Sequence, residues 1–176
     1  MASEREALVG CLEMQRTGVL RIVEGMSDDA LRSAVLPSGW TCLGMVQHLT
    51  VNERYWFRWG VAGEEIVGTE VVDGRCRVVL DDMPDPSDEW IVAPHLNPRT
   101  VLARYREEVA AANGAIAKAA LDAPPRNSDD WWADFGEGTV NLRWIILHMI
   151  EETAQHAGHL DIVRELIEDG GPGSDG

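Results

Sequence analysis

Basic residues are scarce in this sequence. Lys and Arg together number 15 against 30 Asp and Glu, which gives the chain a formal net charge of −15. A surface this acidic repels nucleic-acid phosphates and anionic lipid head groups, and no basic run offsets the repulsion. The composition therefore argues against nucleic-acid and membrane partners.

Cysteines and long apolar runs are scarce as well. Cys11, Cys42 and Cys76 are odd in number and match neither a CxxC pair nor a zinc-finger spacing, so we interpret them as reduced thiols. No window reaches the roughly 18 apolar residues that a membrane span requires. The first ten residues lack the basic and apolar regions of a signal peptide. We therefore expect a cytoplasmic protein.

The 176 residues fit one domain, which at this size buries roughly two-thirds of the surface of its unfolded chain without help from disulfides. We predict a single domain over residues 1–169 and a disordered tail over residues 170–176.

Helical periodicity predicts four long helices, separated by segments rich in Pro, Gly and Asp. They cover about residues 3–24, 42–59, 97–121 and 139–168, with a short helical turn over residues 27–34. Thr41 and Thr139 are the predicted caps of the second and fourth helices. Asn97 and Pro98 form an N-cap followed by proline at the first helical position, which favours a helix start.

The segment between the second and third predicted helices is long and rich in glycine and proline. Residues 70–80 alternate weakly and allow a short hairpin, but we interpret residues 60–96 mainly as a crossover. Long ordered loops in compact domains are often functional. The pattern predicts an all-α fold, a four-helix bundle with a long crossover between helices two and three.

The last helix carries ionisable residues on its predicted buried face. At 100° per residue, Glu152 lies in the middle of an apolar arc, with His148, His156 and His159 beside it. A buried carboxylate is unfavourable unless it is paired or bound to a metal. Glu152 and His156 are four residues apart, so their side chains can reach one point.

His48 on the second helix is the candidate third ligand, because it borders an apolar arc there. Two ligands from one helix and one from another resemble a catalytic zinc site, which leaves one position open. Residue patterns alone leave two alternatives open. The group is either a hydrogen-bonded polar cluster or a metal site, and His148 and His159 are rival ligands.

Two segments resemble the DinB superfamily of metalloenzymes. Residues 37–41 (PSGWT) and 45–49 (MVQHL) resemble its second-helix signature, and residues 139–165 (TVNLRWIILHMIEETAQHAGHLDIVRE) resemble its last helix. The resemblance implies a four-helix bundle with a divalent metal between helices two and four. Most relatives use three histidines, whereas here Glu152 replaces the first of the HxxxH pair. The set His48, Glu152 and His156 is similar to that of mycothiol-dependent maleylpyruvate isomerase.

The resemblance also implies a function, a thiol-dependent S-transferase or isomerase acting on a small electrophilic substrate. The cosubstrate would be a low-molecular-weight thiol such as mycothiol, and the metal would be zinc, nickel, iron or manganese. His159 is the candidate for proton transfer, and Tyr55, Trp56 and Trp59 are candidate cavity walls.

Three further residues have weaker candidate roles. Trp90 and His95, late in the crossover, are candidate lid residues. Cys42, at a helix N-terminus, is a candidate for a mildly acidified thiol, although a buried structural cysteine is the stronger interpretation.

A second class of function is a metal-containing binding or assembly module. Ile146, Leu147 and Ile150 lie on the predicted outward side of the fourth helix, where polar residues are expected. Such a patch indicates a helix-mediated homodimer, which is compatible with either function.

Overall fold

The structure, a computed structural model, describes residues 2–85, 87–136 and 138–170 and is mostly helical with one small sheet. The helices are α1 (Glu4–Val23), α2 (Asp28–Arg32), α3 (Cys42–Glu53), α4 (Pro98–Lys118), α5 (Asp130–Ala133) and α6 (Leu142–Glu168). A π-helical segment (Arg54–Val61) continues α3, and strands β1 (Thr69–Val72) and β2 (Arg75–Val78) form the sheet. Within these ranges, no helix combines the length and apolar character that a membrane crossing needs. The predicted tail lies outside the described residues beyond Gly170.

Side-chain caps fix the starts of the long helices. Thr41 accepts a hydrogen bond from Gly44 N at 3.0 Å, and Asn97 accepts one from Arg99 N at 2.9 Å, as predicted. The predicted cap of α6 is wrong. Asn141, not Thr139, accepts from Trp144 N at 3.0 Å, because Thr139 belongs to the turn before the helix.

The long helices pack side by side. α1 lies along α6, and α3 packs against both α4 and α6. Along α6, Ile145 and Met149 belong to one apolar cluster and Leu160 and Val163 to another. The helix arrangement is consistent with the predicted all-α bundle. The stretch of α6 between the two clusters contains two of the three predicted metal ligands, Glu152 and His156.

The second predicted helix changes form halfway. It is α-helical only to Glu53 and then π-helical to Val61, where Ala62 N donates to Phe57 O five residues back at 2.9 Å. In the π-helical segment Tyr55 stacks on Trp59, with ring centroids 5.2 Å apart. π-Helical turns are rare and often lie at functional sites.

The weak alternation over residues 70–80 does form a hairpin. β1 and β2 pair antiparallel with Val72 opposite Arg75. The two turn residues, Asp73 and Gly74, both have positive φ, at 51° and 76°, as tight hairpin turns require. The crossover therefore contains a small sheet as well as loops.

The predicted outward patch on α6 is wrong for Ile146. This side chain is fully buried, because α1 packs along that side of the helix and contributes Leu12 to the same apolar cluster. Leu147 is 51% exposed, and Ile150 is half-buried. Helix α6 is thus covered on two sides, and only a narrow strip of the patch reaches the surface.

Candidate metal centre

Helices α3 and α6 bring the three predicted ligands together. His48 Nε2 lies 3.1 Å from Glu152 Oε1 and 3.2 Å from His156 Nε2. His156 Nε2 lies 3.0 Å from the same carboxylate oxygen. Among the described residues, only these three form a group of potential metal-ligand atoms within 4.8 Å of one another. His148 and His159, the rival ligands, are not part of it.

The geometry of the trio fits a shared divalent ion. Ligand atoms about 2.0–2.1 Å from a tetrahedral zinc are roughly 3.3 Å from one another, close to the spacing found here. Asn52 Nδ2 also lies 3.0 Å from His48 Nε2, so three polar atoms converge on one ring nitrogen. A single nitrogen serves at most one of them with a hydrogen bond of its own, whereas a cation satisfies the carboxylate and both imidazoles together.

A carboxylate behind His48 sets the orientation of its ring. His48 Nδ1 lies 2.7 Å from Glu89 Oε1. A carboxylate accepts hydrogen bonds, so Nδ1 carries a hydrogen toward Glu89, and Nε2 is the nitrogen that faces Glu152 and His156 and would bind a metal ion. Carboxylate–histidine pairs of this kind accompany metal sites and fix the ring of the ligand.

The site is electrostatically coupled. Burial disfavours a charge on His48, but hydrogen bonds to Glu152 and Glu89 outweigh it and raise the pKa of His48 to about 9. Hydrogen bonds from His156 and His48 hold the pKa of Glu152 well below its usual range. Glu152 is therefore ionised at neutral pH, as a metal ligand must be.

Contacts between α3 and the crossover hold Glu89 in place. Gln47 Nε2 donates to Glu89 O at 2.8 Å and to Ile91 O at 3.0 Å. Between them Trp90 stacks on His48, with ring centroids 4.1 Å apart. Gly44 of α3 lies directly beneath Trp90, and a Cβ at Gly44 would overlap the carbonyl oxygen of Trp90. The crossover thus lies tightly on the helix that supplies His48.

His48 and Glu152 of the trio border a cavity of about 940 Å³. The lining combines His48 and Glu152 with residues of the π-helical segment, the hairpin, the late crossover and α5. Of the predicted cavity walls, Tyr55 and Trp56 line it, whereas Trp59 stacks against Tyr55 and is not part of the lining. Of the predicted lid residues, Trp90 lines the cavity and His95 does not. His95 is exposed.

The two other histidines of α6 lie in different surroundings. His148 lines the cavity and stacks on Trp144, and burial lowers its pKa. His159 is exposed, is not part of the lining, and has its ring centroid 5.8 Å from that of His156. A role for His159 in proton transfer stays a prediction.

The cysteines differ sharply in exposure. Cys42 is fully buried, and burial raises the pKa of its thiol to about 11, so the interpretation as an acidified thiol is wrong. At this position burial outweighs the favourable field of the helix N-terminus. Cys76 lines the cavity, and burial, assisted by the charge of Asp129, raises its pKa to about 11. Neither thiol is a strong nucleophile at neutral pH.

Sequence reasoning missed several polar residues of the site, among them Asn52, Glu89, Asp129, Arg75 and Arg77. Asn52 had a signal, because it lies one helical turn after His48 on the same face. The other four lie in loops or in the hairpin, where residue spacing carries no information about the distant helix α6.

The fold is mostly helical and holds a His-Glu-His group between α3 and α6, beside a cavity. These features define a candidate metal-binding protein of the DinB-like class. The family model described as Mycothiol-S-transferase matches residues 7–169, nearly the whole chain. The chain therefore belongs to the mycothiol S-transferase family, a DinB-like family, as the resemblance of its helices implied. No curated protein matches the chain significantly.

Proposed function

We propose that this protein is a divalent-metal-dependent transferase that joins mycothiol to a small electrophile. The observation that carries the proposal is the placement of His48 and Glu152 in the wall of a cavity large enough for two small reactants. The family description supports the thiol. The donor set, two imidazoles and one carboxylate, suits zinc first, with nickel, iron and manganese as alternatives.

In this proposal the residues around the trio have distinct roles. A divalent ion held by His48, Glu152 and His156 would lower the pKa of a coordinated thiol, so that the sulfur is a thiolate at neutral pH. Glu89 and Asn52 hold His48 and Glu152 in position through hydrogen bonds. Trp90 covers His48 and excludes water from that side.

The transfer itself balances without a further reactant. The sulfur forms a bond to the electrophilic carbon, the bond from that carbon to the leaving group breaks, and the leaving group departs with the electron pair. The thiol proton goes to a neutral base. His148 lines the cavity and its lowered pKa keeps it neutral at pH 7, so we assign it this role, with His159 as the alternative.

The test is metal content measured by elemental mass spectrometry, alongside turnover of mycothiol with 1-chloro-2,4-dinitrobenzene. Wild-type protein should hold about one metal ion per chain. His48→Ala and Glu152→Ala should each lose most of the metal and all measurable turnover. His95→Ala, which changes an exposed histidine outside the cavity, is the matched control and should lose neither. Wild-type protein that takes up no metal after reloading would overturn the proposal.

A second proposal concerns assembly. Leu147 is 51% exposed on α6 and Ile150 is half-buried beside it, which supports a homodimer contact at this strip. A module of this kind would act through its partner copy rather than through turnover. Sedimentation velocity of Leu147→Asp tests it, and an unchanged dimer or a wild-type monomer would contradict it.

A further inference from the structure

We propose that Arg75 and Arg77 of the hairpin form a binding site for a carboxylate, and that the electrophilic substrate is therefore an anion. That this carboxylate belongs to the electrophile rests on the proposed transferase function. The site itself, a carboxylate-binding pair of guanidinium groups in the cavity wall, rests on the structure of the hairpin.

The two arginines are available to a ligand. Both lie on β2 with one residue between them, so they are on the same side of the strand, and both line the cavity. Among the described residues, neither makes an ion pair or a side-chain hydrogen bond. By contrast, Arg104 on α4 makes two hydrogen bonds to Asp82, at 2.6 and 2.7 Å.

The acidic residues of the cavity are already engaged elsewhere. Glu89 contacts His48, and Glu152 belongs to the metal-ligand trio. Asp88 accepts a hydrogen bond from Trp90 N at 3.0 Å, and Asp129 accepts from Tyr55 OH at 2.8 Å. The remaining lining carboxylate, Asp73, is exposed at the hairpin turn. Arg77 has acidic neighbours outside the cavity lining, Glu70 opposite it on β1 and Asp85, but among the described residues it makes no ion pair with either. In a chain of net charge −15, two arginines that face a cavity without an ion-pair partner indicate an anionic ligand.

The hairpin is held firmly against the body of the protein. Cys76 N, between the two arginines, donates to Asp129 Oδ2 at 2.7 Å. Asp130 N donates to Gly74 O at 3.0 Å, and a side chain at Gly74 would collide with Asp130. The strand that carries the arginines is therefore fixed before any ligand binds, which reduces the entropy lost on binding.

The chemistry of the cavity separates its two reactants. In the proposed function the thiol sulfur would lie at the trio, and the arginines on the hairpin are the remaining charged groups that can bind the electrophile. A guanidinium group binds a carboxylate through paired N–H donors, with both orientation and charge complementarity. An arginine-bound carboxylate would orient the electrophilic carbon of the same molecule toward the thiol.

The experiment compares two electrophiles that differ in charge. We would measure turnover of mycothiol with 4-chloro-3,5-dinitrobenzoate and with the neutral 4-chloro-3,5-dinitrobenzamide, each corrected for its uncatalysed rate. Arg75→Gln and Arg77→Gln should each lower kcat/KM for the benzoate about 10- to 100-fold, mainly through KM, because a charge-assisted hydrogen bond is lost. The amide should change less than about twofold. Arg99→Gln, an exposed arginine outside the cavity, is the control. Equal losses for both electrophiles, or no loss for the benzoate, would overturn the proposal.

A binding measurement separates this proposal from the transferase function. Calorimetric titration of the metal-loaded protein with 3,5-dinitrobenzoate, which has no leaving group, should show binding that Arg75→Gln and Arg77→Gln weaken and Arg99→Gln does not. Such binding without any turnover would overturn the transferase function and retain the carboxylate site. Turnover of the amide without arginine-dependent binding of 3,5-dinitrobenzoate would overturn the carboxylate site and retain the transferase function.

Discussion

The imidazole Nδ1 of His48 lies 2.7 Å from Oε1 of Glu89, and the opposite ring nitrogen faces Glu152 and His156. Glu89 of the crossover thus determines which ring nitrogen of His48 on α3 faces α6. The crossover and the candidate metal centre are linked through this contact, and the first prediction tests the link.

Replacing Glu89 with glutamine should weaken metal binding. The amide keeps the shape of the side chain but loses the charge that holds His48 with its hydrogen on Nδ1. We expect the dissociation constant for zinc to rise about 10- to 100-fold, as with other residues behind metal ligands. Competition with a fluorescent chelator measures it. Glu70→Gln, an exposed glutamate of β1, should leave the constant unchanged, and equal constants for Glu89→Gln and wild type would show that Glu89 does not position His48.

Alanine at Gly44 should affect both stability and the metal centre. The added Cβ would overlap Trp90 O, so the crossover must move away from α3. We expect a loss of about 1–3 kcal/mol in the free energy of unfolding, typical of overpacking. Weaker zinc binding should accompany it, because Glu89 moves with Trp90. Urea unfolding measures the first effect and chelator competition the second.

The matched control for this variant is Gly18→Ala. Gly18 lies in the interior of α1, and a Cβ there meets no atom within 4 Å. Alanine is a better helix former than glycine, so this variant should be more stable by about 0.5–1 kcal/mol. If both variants were stabilised, the close packing of the crossover on α3 would be contradicted.

The parts of the site that the sequence predicts are those with helical periodicity. The spacing of Glu152 and His156, and the position of His48 beside an apolar arc, made these three residues candidate ligands, with His148 and His159 as rivals, and the family resemblance singled out the set of three. Glu89 and Arg75 could not be found this way, because long-range contacts of a loop and a hairpin place them. Local patterns do not encode such contacts.

The fold likewise divides into features that local sequence patterns predict and features that they do not. Caps and turn residues predicted the starts of α3 and α4, which depend on neighbouring residues alone. The exposure predicted for Ile146 was wrong because a helical wheel assumes one buried face, whereas α6 packs against α1 on a second side. The change to a π-helix after Glu53 had no local signal either.

Stability should fall at alkaline pH in a way that depends on Cys42. Burial raises the pKa of this thiol to about 11, above its ordinary value of about 8.5 in an unfolded chain. Between these values the folded state keeps a proton that the unfolded state has lost, so the free energy of unfolding decreases as pH rises from about 9 to 11. The contribution of one such group is about 1.4 kcal/mol per pH unit at most.

Urea unfolding at pH 8, 9.5 and 10.5 tests this prediction. Cys42→Ala should show a shallower decline with pH than wild type, whatever its stability at pH 8. Cys11→Ala, which removes an exposed thiol, should keep the wild-type slope. If the free energy of unfolding declined equally with pH in wild type, Cys42→Ala and Cys11→Ala, Cys42 would have an ordinary pKa in the folded protein.

The last prediction distinguishes the two histidines that flank the trio on α6. His148 lines the cavity between Trp56 and Trp144, whereas His159 is exposed and outside the lining. If His148 accepts the thiol proton, His148→Asn should lower kcat about 100-fold while the metal content stays at one ion per chain. His159→Asn should retain kcat within about twofold. Stopped assays of mycothiol consumption at pH 7, on protein of verified metal content, compare them. The opposite order of effects would place proton transfer at His159, as the sequence alone suggested, and would require the proton to leave from the exposed side of α6.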